Sequence, residues 1–229
     1  MFSPYRKEVL TVTGIILVYM CLKMMVFKLC RNAIQATKED LMKVIEPGDL
    51  LYTYTVRGRQ PFFNPYNLAH MFGNEDEVHA AYAVEYNSKV YVLNTYTTAY
   101  YRDRKPGFKD LNRIILVGEN SYASGRLEPL EEFLNAETYF NSFVRVVKTK
   151  KKTRVFNENN KDMIKELANQ KLIHCCMAVG KYLESEGVIQ NRSGYADVLY
   201  YMPDVLRKIL GQVSNTLYRM VPPHIDDLK

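Results

Sequence analysis

Two segments near the middle of the chain alternate between apolar and polar positions, as half-buried strands do. They are residues 78–86 (VHAAYAVEY) and Lys89–Thr97 (KVYVLNTYT), and the turn-forming residues Asn87 and Ser88 separate them. This pattern predicts a β-hairpin, because two such runs joined by two turn-forming residues are typical of one. Three further segments that are rich in apolar, β-branched or aromatic residues predict additional strands: residues 50–56, 113–117 and 143–147.

Helical spacing and end signals predict helices before and after these strands. Thr37 followed by Asp40 resembles an N-terminal capping box, and Pro47 and Gly48 end the short helix that it opens. Four more helical segments are predicted: residues 127–135, in which Pro129 fits the first turn, residues 160–169, residues 173–186, which end at Gly187, and residues 195–210, which Pro203 breaks or begins. Strands therefore come first and the cysteine-bearing helix follows them, an order that favours the α+β class.

The N-terminal residues 9–22 are apolar or weakly polar and carry no charge, and the run reaches residue 29 if Lys23 and Lys28 are included. That length is enough to cross a hydrocarbon core about 30 Å thick. We therefore expect residues 1–31 to form a single-pass membrane anchor and residues 32–229 to form one domain. A cleaved signal peptide fits less well, because no small-residue cleavage site follows the run, and a buried core helix is the third alternative.

Basic residues flank this apolar run unequally. Four lie in or after its C-terminal part and two precede it: Lys23, Lys28, Arg31 and Lys38 against Arg6 and Lys7. Because basic residues tend to stay on the cytosolic side of a membrane, the pattern favours a cytosolic C-terminal domain.

The whole chain carries a formal charge of +6, from 31 Lys and Arg against 25 Asp and Glu. Such a charge suits an anionic partner, either lipid headgroups or nucleic acid, without choosing between them. The run KTKKKTR at residues 148–154 is either a phosphate or lipid contact or a solvated turn, and nothing else in the sequence supports nucleic acid. The sequence has no zinc-ligand spacing, glycine-rich phosphate loop or paired-carboxylate motif, so we expect no metal and no cofactor.

Thiol chemistry in the domain depends on Cys175 and its neighbour Cys176, since the other two cysteines lie in or beside the apolar run. Cys175 falls in the first turn of its predicted helix, where the helix dipole favours a thiolate. A histidine would take the thiol proton. His79 is the first choice, because a predicted strand fixes its position. The other three histidines lie in a loop, directly before the cysteine and in the terminal tail: His70, His174 and His224.

Asn94 lies on the second strand of the hairpin, fifteen residues after His79. If the register pairs the two strand ends, its amide would orient the imidazole, as in Cys–His–Asn triads. The simpler interpretation is that the cysteine is an apolar filler and the histidine a structural hydrogen-bonding residue. Taken alone, the residues leave both interpretations open.

The order of these segments resembles the permuted NlpC/P60 papain-like family, which includes bacterial amidase-like proteins, lecithin:retinol acyltransferase relatives and a poxvirus member. EPGDLLYT is similar to the family's opening P-G-D strand, VHAAYAVEY to its histidine strand and YVLNTY to the strand with a third polar residue. LEPLEEFLN, VRVVK, IHCCMAVGKYLESEGV and YYMPDVL are similar to its linker helix, next strand, nucleophile helix and proline-led helix. The resemblance covers residues 45–207.

The resemblance implies a circularly permuted papain-like domain in which an antiparallel sheet packs on the nucleophile helix. His79 would be the base, Asn94 the orienting residue and Cys175 the nucleophile, with Cys176 as the alternative. The twelve positions from Cys175 to Gly187 match the family's usual spacing. Three positions depart from the family's pattern: Asn94 stands where relatives commonly have an acid, His174 precedes the nucleophile, and Ala178 replaces a larger apolar residue.

The implied activity is that of a membrane-anchored cysteine hydrolase, amidase, peptidase or acyltransferase acting on an amide or ester bond through a thioester. Its partners would be membrane lipid and an acylated protein or lipid substrate. The alternative is a catalytically silent, membrane-tethered structural or interaction protein, such as a minor component of a large DNA virus particle. It would then bind other particle or membrane-assembly proteins, an expectation that rests on analogy with the poxvirus member.

Overall fold

The computed structural model describes residues 11–15, 18, 33–54, 79–97, 102, 104–119, 123–140, 142–169, 175–190 and 203–221. The chain divides into two compact units, Met1–Ala33 and Ile34–Lys229. In the first unit, residues 11–15 are helical. Within the described residues, no helix combines the length and the apolar composition needed to span a membrane. Most of the predicted anchor, residues 1–31, lies outside those residues.

The described residues of the second unit form eight β-strands and five α-helices. Their order along the chain is β1 (Ile34–Ala36), α1 (Lys38–Val44), β2 (Leu50–Tyr54), β3 (His79–Tyr86), β4 (Lys89–Thr97), β5 (Ile115–Glu119), β6 (Ala123–Pro129), α2 (Leu130–Tyr139), β7 (Phe143–Thr149), α3 (Lys161–Asn169), α4 (Cys175–Ser185), α5 (Pro203–Leu210) and β8 (Gln212–Met220). Short 3₁₀ turns lie at Lys105–Gly107, Leu111–Arg113 and Glu158–Asn160.

All eight strands belong to one sheet, in the spatial order β1-β8-β7-β2-β3-β4-β6-β5. The β1–β8 pair is parallel and every other neighbouring pair is antiparallel. Together with the helices, this mostly antiparallel sheet confirms the predicted α+β class.

Successive residues of the central strands point to opposite faces of the sheet and enter two separate apolar cores. Helices α3, α4 and α5 pack on one face, and we call the core beneath them the cysteine-side core. Its strand residues include Leu50, Tyr52, Ala80, Tyr82, Val84 and Leu93. Helices α1 and α2 cover the other face, where the opposite core includes Leu51, Ala81, Ala83, Val92, Phe133 and Leu134. Each central strand is therefore buried on both faces.

Two local structures that the sequence predicts, the capping box of α1 and the turn between β3 and β4, form as expected. The Thr37 side chain accepts a hydrogen bond from the Asp40 N–H, and Asp40 Oδ2 accepts one from the Thr37 N–H, so the capping box that opens α1 is complete. Between β3 and β4, Asn87 and Ser88 both have positive φ, 50° and 59°. Positive φ at both central residues gives the type of turn whose twist matches a hairpin, which fixes the β3–β4 register.

Residues 127–135 are not helical throughout. Leu127 and Glu128 belong to β6, where they pair with Leu93 and Val92 of β4. The helix starts only at Leu130, after Pro129 in the N-cap position. The strand prediction for residues 113–117 is shifted in the same way, because Arg113 ends a 3₁₀ turn and β5 runs Ile115–Glu119.

Strands β1, β6 and β8 were not predicted from the hydrophobic pattern of the sequence. Strand β6 (ASGRLEP) contains residues that disfavour strands, but its Gly125 pairs with Gly118 of β5 beneath α3. A Cβ at Gly118 would lie 2.5 Å from the Lys165 Cα, and one at Gly125 would lie 2.6 Å from the Ile164 Cγ2. The two glycines therefore allow the close approach of the helix.

Candidate active site

His79 begins β3 at the end of the sheet where β3 and β4 separate. Their ladder stops at the Ala81–Asn94 pair, although β4 continues to Thr97 and remains paired with β6. On its other side His79 pairs with Thr53 of β2. The His79 side chain is buried, with only 5% of the residue exposed. A buried polar ring of this kind needs hydrogen-bonding partners, and the neighbouring strands supply them.

Asn94 is a diagonal neighbour of His79 across the hairpin. It pairs with Ala81, two residues after His79, so the two side chains share one face of the sheet. A hydrogen bond joins the Asn94 Oδ1 and the His79 Nε2. The contact is diagonal rather than directly across the ladder, which differs from the register that the sequence suggested and still brings the two side chains together.

Glu128 extends this contact to a third strand. The Asn94 Nδ2 donates to the Glu128 Oε1 at 2.6 Å, and the Tyr96 hydroxyl donates to the same oxygen at 2.9 Å. Glu128 and Tyr96 are fully buried and Asn94 is 1% exposed. Sequence reasoning missed Glu128 because it assigned residues 127–135 to one helix. The signal that could have found it is Pro129, since a proline at a helix start leaves the preceding residue outside the helix.

The carboxyl of Glu128 is fully buried from water, which disfavours its charge. Burial is the largest influence and raises the pKa of Glu128 above its usual value, while the hydrogen bonds from Asn94 and Tyr96 act in the opposite direction. Arg104 and Arg126 also favour the ionised form, more weakly. The carboxyl therefore holds its two donors at an energetic cost, which marks it as a candidate functional group.

Tyr96 also packs on the imidazole. The Tyr96 and His79 rings are stacked, with centroids 4.9 Å apart and an angle of 8° between their planes. The Arg104 guanidinium lies 5.8 Å from the centre of the Tyr96 ring. Arg104 in turn donates to the Thr53 Oγ1 at 3.3 Å and forms a buried ion pair with Glu137. The imidazole is thus held by packing as well as by the Asn94 hydrogen bond.

Cys175 reaches this end of the sheet from helix α4, of which it is the first described residue. Its Sγ accepts a hydrogen bond from the Ala80 N–H at 3.2 Å. Alternate residues of β3 direct their N–H groups to β2 and β4, and Ala83 donates to Asp49 on the β2 side. The Ala80 N–H therefore faces β4. The sulfur occupies the place that a β4 carbonyl would fill if the ladder continued.

This hydrogen bond also limits the distance between the thiol and the histidine. Two covalent bonds separate the Ala80 nitrogen from the His79 Cα, so the Cys175 sulfur lies within about 6 Å of that carbon. Cys175 is partly buried, whereas Cys176 is 3% exposed and belongs to the cysteine-side core. The structure thus brings Cys175, His79 and Asn94 to one end of the sheet and places Cys176 among apolar residues.

The remaining histidines, His70, His174 and His224, lie outside the described residues. Within the described part of the chain, no group of three or more His, Cys, Asp or Glu side chains could hold a metal ion.

The fold and this cluster define the class of the protein: an α+β domain that carries a cysteine, a histidine, an asparagine and a glutamate at one end of an eight-stranded sheet. No protein-family model, curated protein or solved structure matches the chain.

Proposed function

We propose that the protein is a membrane-anchored cysteine hydrolase or acyltransferase with a circularly permuted NlpC/P60 papain-like fold. The observation that carries the proposal is the hydrogen bond from the Ala80 N–H to the Cys175 Sγ. It holds a thiol, at the first residue of a helix, next to a histidine whose imidazole is already bound by an amide. A thiol, a base and an orienting amide are the three parts that cysteine acyl transfer needs.

The reaction follows from these positions. His79 takes the thiol proton, and the Cys175 sulfur attacks the carbonyl carbon of an amide or ester. The negative charge on the carbonyl oxygen is stabilised by the Cys175 backbone N–H at the helix start. The C–N or C–O bond then breaks, the leaving group receives the proton from His79, and a thioester remains. Water or an acceptor hydroxyl or amine then attacks the thioester, and the thiol is regenerated.

The proposed setting is a membrane surface, with lipid or an acylated protein as the substrate. Charge in the described domain supports an anionic surface as a partner. Lys150 and Lys151 are exposed. Their backbone N–H groups donate to the carbonyl oxygens of Gly211 and Leu210 at 3.0 Å, which fixes this basic turn at the end of α5. The apolar residues 9–29 would anchor the chain, with the domain on the cytosolic side or inside a virus particle.

A liposome assay with the full chain tests this function. Vesicles carry an acyl-labelled phospholipid or an acylated peptide, and release or transfer of the acyl group is measured. We expect Cys175→Ser to abolish turnover and Cys176→Ala, the matched control from the apolar core, to retain it. Undiminished turnover by Cys175→Ser would remove the proposal.

A second candidate function is that of a tethered structural protein, and the burial of His79 favours it. Only 5% of this residue is exposed, and it is stacked and hydrogen-bonded on the strand. A buried polar network can stiffen a sheet without performing chemistry. This candidate predicts a Cys175 thiol that reacts no faster than a free thiol peptide at neutral pH, with or without His79→Ala.

A further inference from the structure

We propose that Glu128 is a positioning residue: it fixes the orientation of the Asn94 amide and, through it, decides which nitrogen of His79 carries the proton. The catalytic consequence rests on the proposed function. The hydrogen-bond assignment itself does not, and it can be measured in a protein without activity.

Glu128, Asn94 and His79 lie on three neighbouring strands, β6, β4 and β3. Glu128 pairs with Val92, and Asn94 lies two residues further along β4. Glu128 is therefore a diagonal neighbour of Asn94, just as Asn94 is of His79, and all three side chains lie on one face. Each side chain can reach the next, which the two hydrogen bonds at Asn94 show.

The Glu128 carboxyl fixes the orientation of the Asn94 side-chain amide. An ionised carboxylate accepts hydrogen bonds and cannot donate them. Glu128 Oε1 faces both the Asn94 amide and the Tyr96 hydroxyl, so the donor end of the amide, Nδ2, is directed to Glu128. The assignment also holds if the proton binds at Oε2, because Oε1 is then the carbonyl oxygen and still accepts. The amide is left with its oxygen directed to His79.

The orientation of the Asn94 amide determines which nitrogen of the His79 imidazole carries a proton. The Asn94 Oδ1 has no proton to give, so the His79 Nε2 must carry one and donate it. A neutral imidazole has one N–H, so Nδ1 carries no proton and has the lone pair that can accept one. Glu128 thereby makes Nδ1 the atom that can accept the proton of the Cys175 thiol. It acts through Asn94 and does not touch the reacting atoms.

The test is nitrogen-15 NMR of the histidine side chains in the full chain, with the His79 signals assigned by His79→Gln. We expect the wild-type ring to be protonated at Nε2. In Glu128→Leu we expect a mixture of the two tautomers, because the Asn94 amide is free to turn over. Glu128→Gln keeps a carbonyl oxygen that can accept from Asn94 and Tyr96, so it should restore the Nε2 form.

Thiol reactivity gives a second readout. We expect the rate of Cys175 alkylation near neutral pH to fall at least about tenfold in Glu128→Leu and to recover in Glu128→Gln, since a misdirected base loses much of its effect. Glu132→Leu is the matched control, because Glu132 is also buried but binds the Lys109 and Asp110 N–H groups elsewhere. It should leave the tautomer and the alkylation rate unchanged.

Two results would overturn the proposal: a wild-type ring protonated at Nδ1, or a Glu128→Leu ring that stays in the Nε2 form. If Glu128→Leu does not fold, the wild-type protein decides the matter through nuclear Overhauser effects, which should place the Asn94 amide protons next to Tyr96 and Glu128 and not next to His79. The expected tautomer combined with no acyl transfer to or from liposomes would remove the proposed function and leave the role of Glu128 intact.

Discussion

The sulfur of Cys175 takes the place of a strand partner for Ala80: it accepts the Ala80 N–H at 3.2 Å, directly after the last ladder pair of β3 and β4. A sulfur in that position lies between the two strands rather than over one face of the sheet. His79 shares its face with Ala81, whereas α4 packs on the face of Ala80. The gap between the strands therefore lets a sulfur from the layer of α4 reach the backbone beside His79, whose side chain belongs to the other layer.

The two adjacent cysteines should differ sharply in reactivity. Cys175 is partly exposed and bound to a backbone N–H, while Cys176 is 3% exposed among apolar side chains. We expect iodoacetamide to label Cys175 in the folded protein and Cys176 only after unfolding. Mass spectrometry of the peptide distinguishes them when Cys175→Ala and Cys176→Ala are compared in a Cys21→Ser/Cys30→Ser background. Equal labelling of both would contradict the placement of Cys176 in the core.

The stability of the domain should depend on pH through Glu128. Burial raises the pKa of its carboxyl above the usual 4.5 in the folded chain, so folding favours the protonated form. The contribution of Glu128 to stability is then fully present below pH 4.5 and is lost as the pH rises through the folded-state pKa.

Urea unfolding of the wild type and of Glu128→Gln, which cannot ionise, measures this effect. The wild type should lose free energy of unfolding relative to the variant as the pH rises from 4 toward 7, by at most about 1.4 kcal/mol per pH unit. A difference that stays constant over this range would show that the carboxyl ionises as freely in the folded chain as in the unfolded one.

The parts of the fold that follow from the sequence are those whose signals are local. The β3–β4 hairpin has both the alternation and the turn residues, and α4 ends at Ser185, two residues before Gly187, whose φ is +68°. Strand β8 lacks such a signal, because its first four residues are exposed, so no apolar side marks it as a strand. Strand β1 has only three residues and depends on β8 for its pairing.

The candidate site divides in the same way. The proximity of His79 and Asn94 could be predicted from the hairpin alone. Cys175 could be predicted as a candidate nucleophile from its position in the first turn of a predicted helix. Pro129 indicates that Glu128 lies before the helix, but the contact of Glu128 with Asn94 could not be predicted, since it depends on β6 pairing with β4, a tertiary relationship between residues 34 positions apart. A strand that contains Gly, Ser and Pro gives no periodicity from which this pairing could be inferred.

One lysine of the basic run at residues 148–154, Lys148, makes contacts within the fold. The Lys148 Nζ lies 2.7 Å from the Asp49 Oδ2 and 2.8 Å from the Val44 carbonyl oxygen, and Asp49 is fully buried. Lys148→Met would leave the Asp49 charge without its cation, so we expect a loss of about 2 kcal/mol in the free energy of unfolding, less than for a fully buried pair because Lys148 is partly exposed.

Lys150→Met is the matched control for this change, because Lys150 belongs to the same run and its side chain is exposed. Its effect on the free energy of unfolding should stay within about 0.5 kcal/mol. Chemical denaturation of both variants measures the contrast. Equal losses would show that the Lys148–Asp49 contact contributes nothing beyond surface charge.

Gly118 and Gly125 lie under α3, and the close approach of this helix should make Gly118 intolerant of a larger residue. An added Cβ at Gly118 meets the backbone of Lys165 at 2.5 Å, and a backbone atom cannot turn aside as a side chain can. Gly118→Ala must therefore push α3 away from β5, and we expect it to lower the free energy of unfolding by about 1–3 kcal/mol, as overpacking does. The control is Gly187→Asn, where nothing lies within 4 Å of an added Cβ and the positive φ is one that asparagine tolerates. If urea unfolding gave the same midpoint for Gly118→Ala and the wild type, α3 would not lie as close to the sheet as the two glycines indicate.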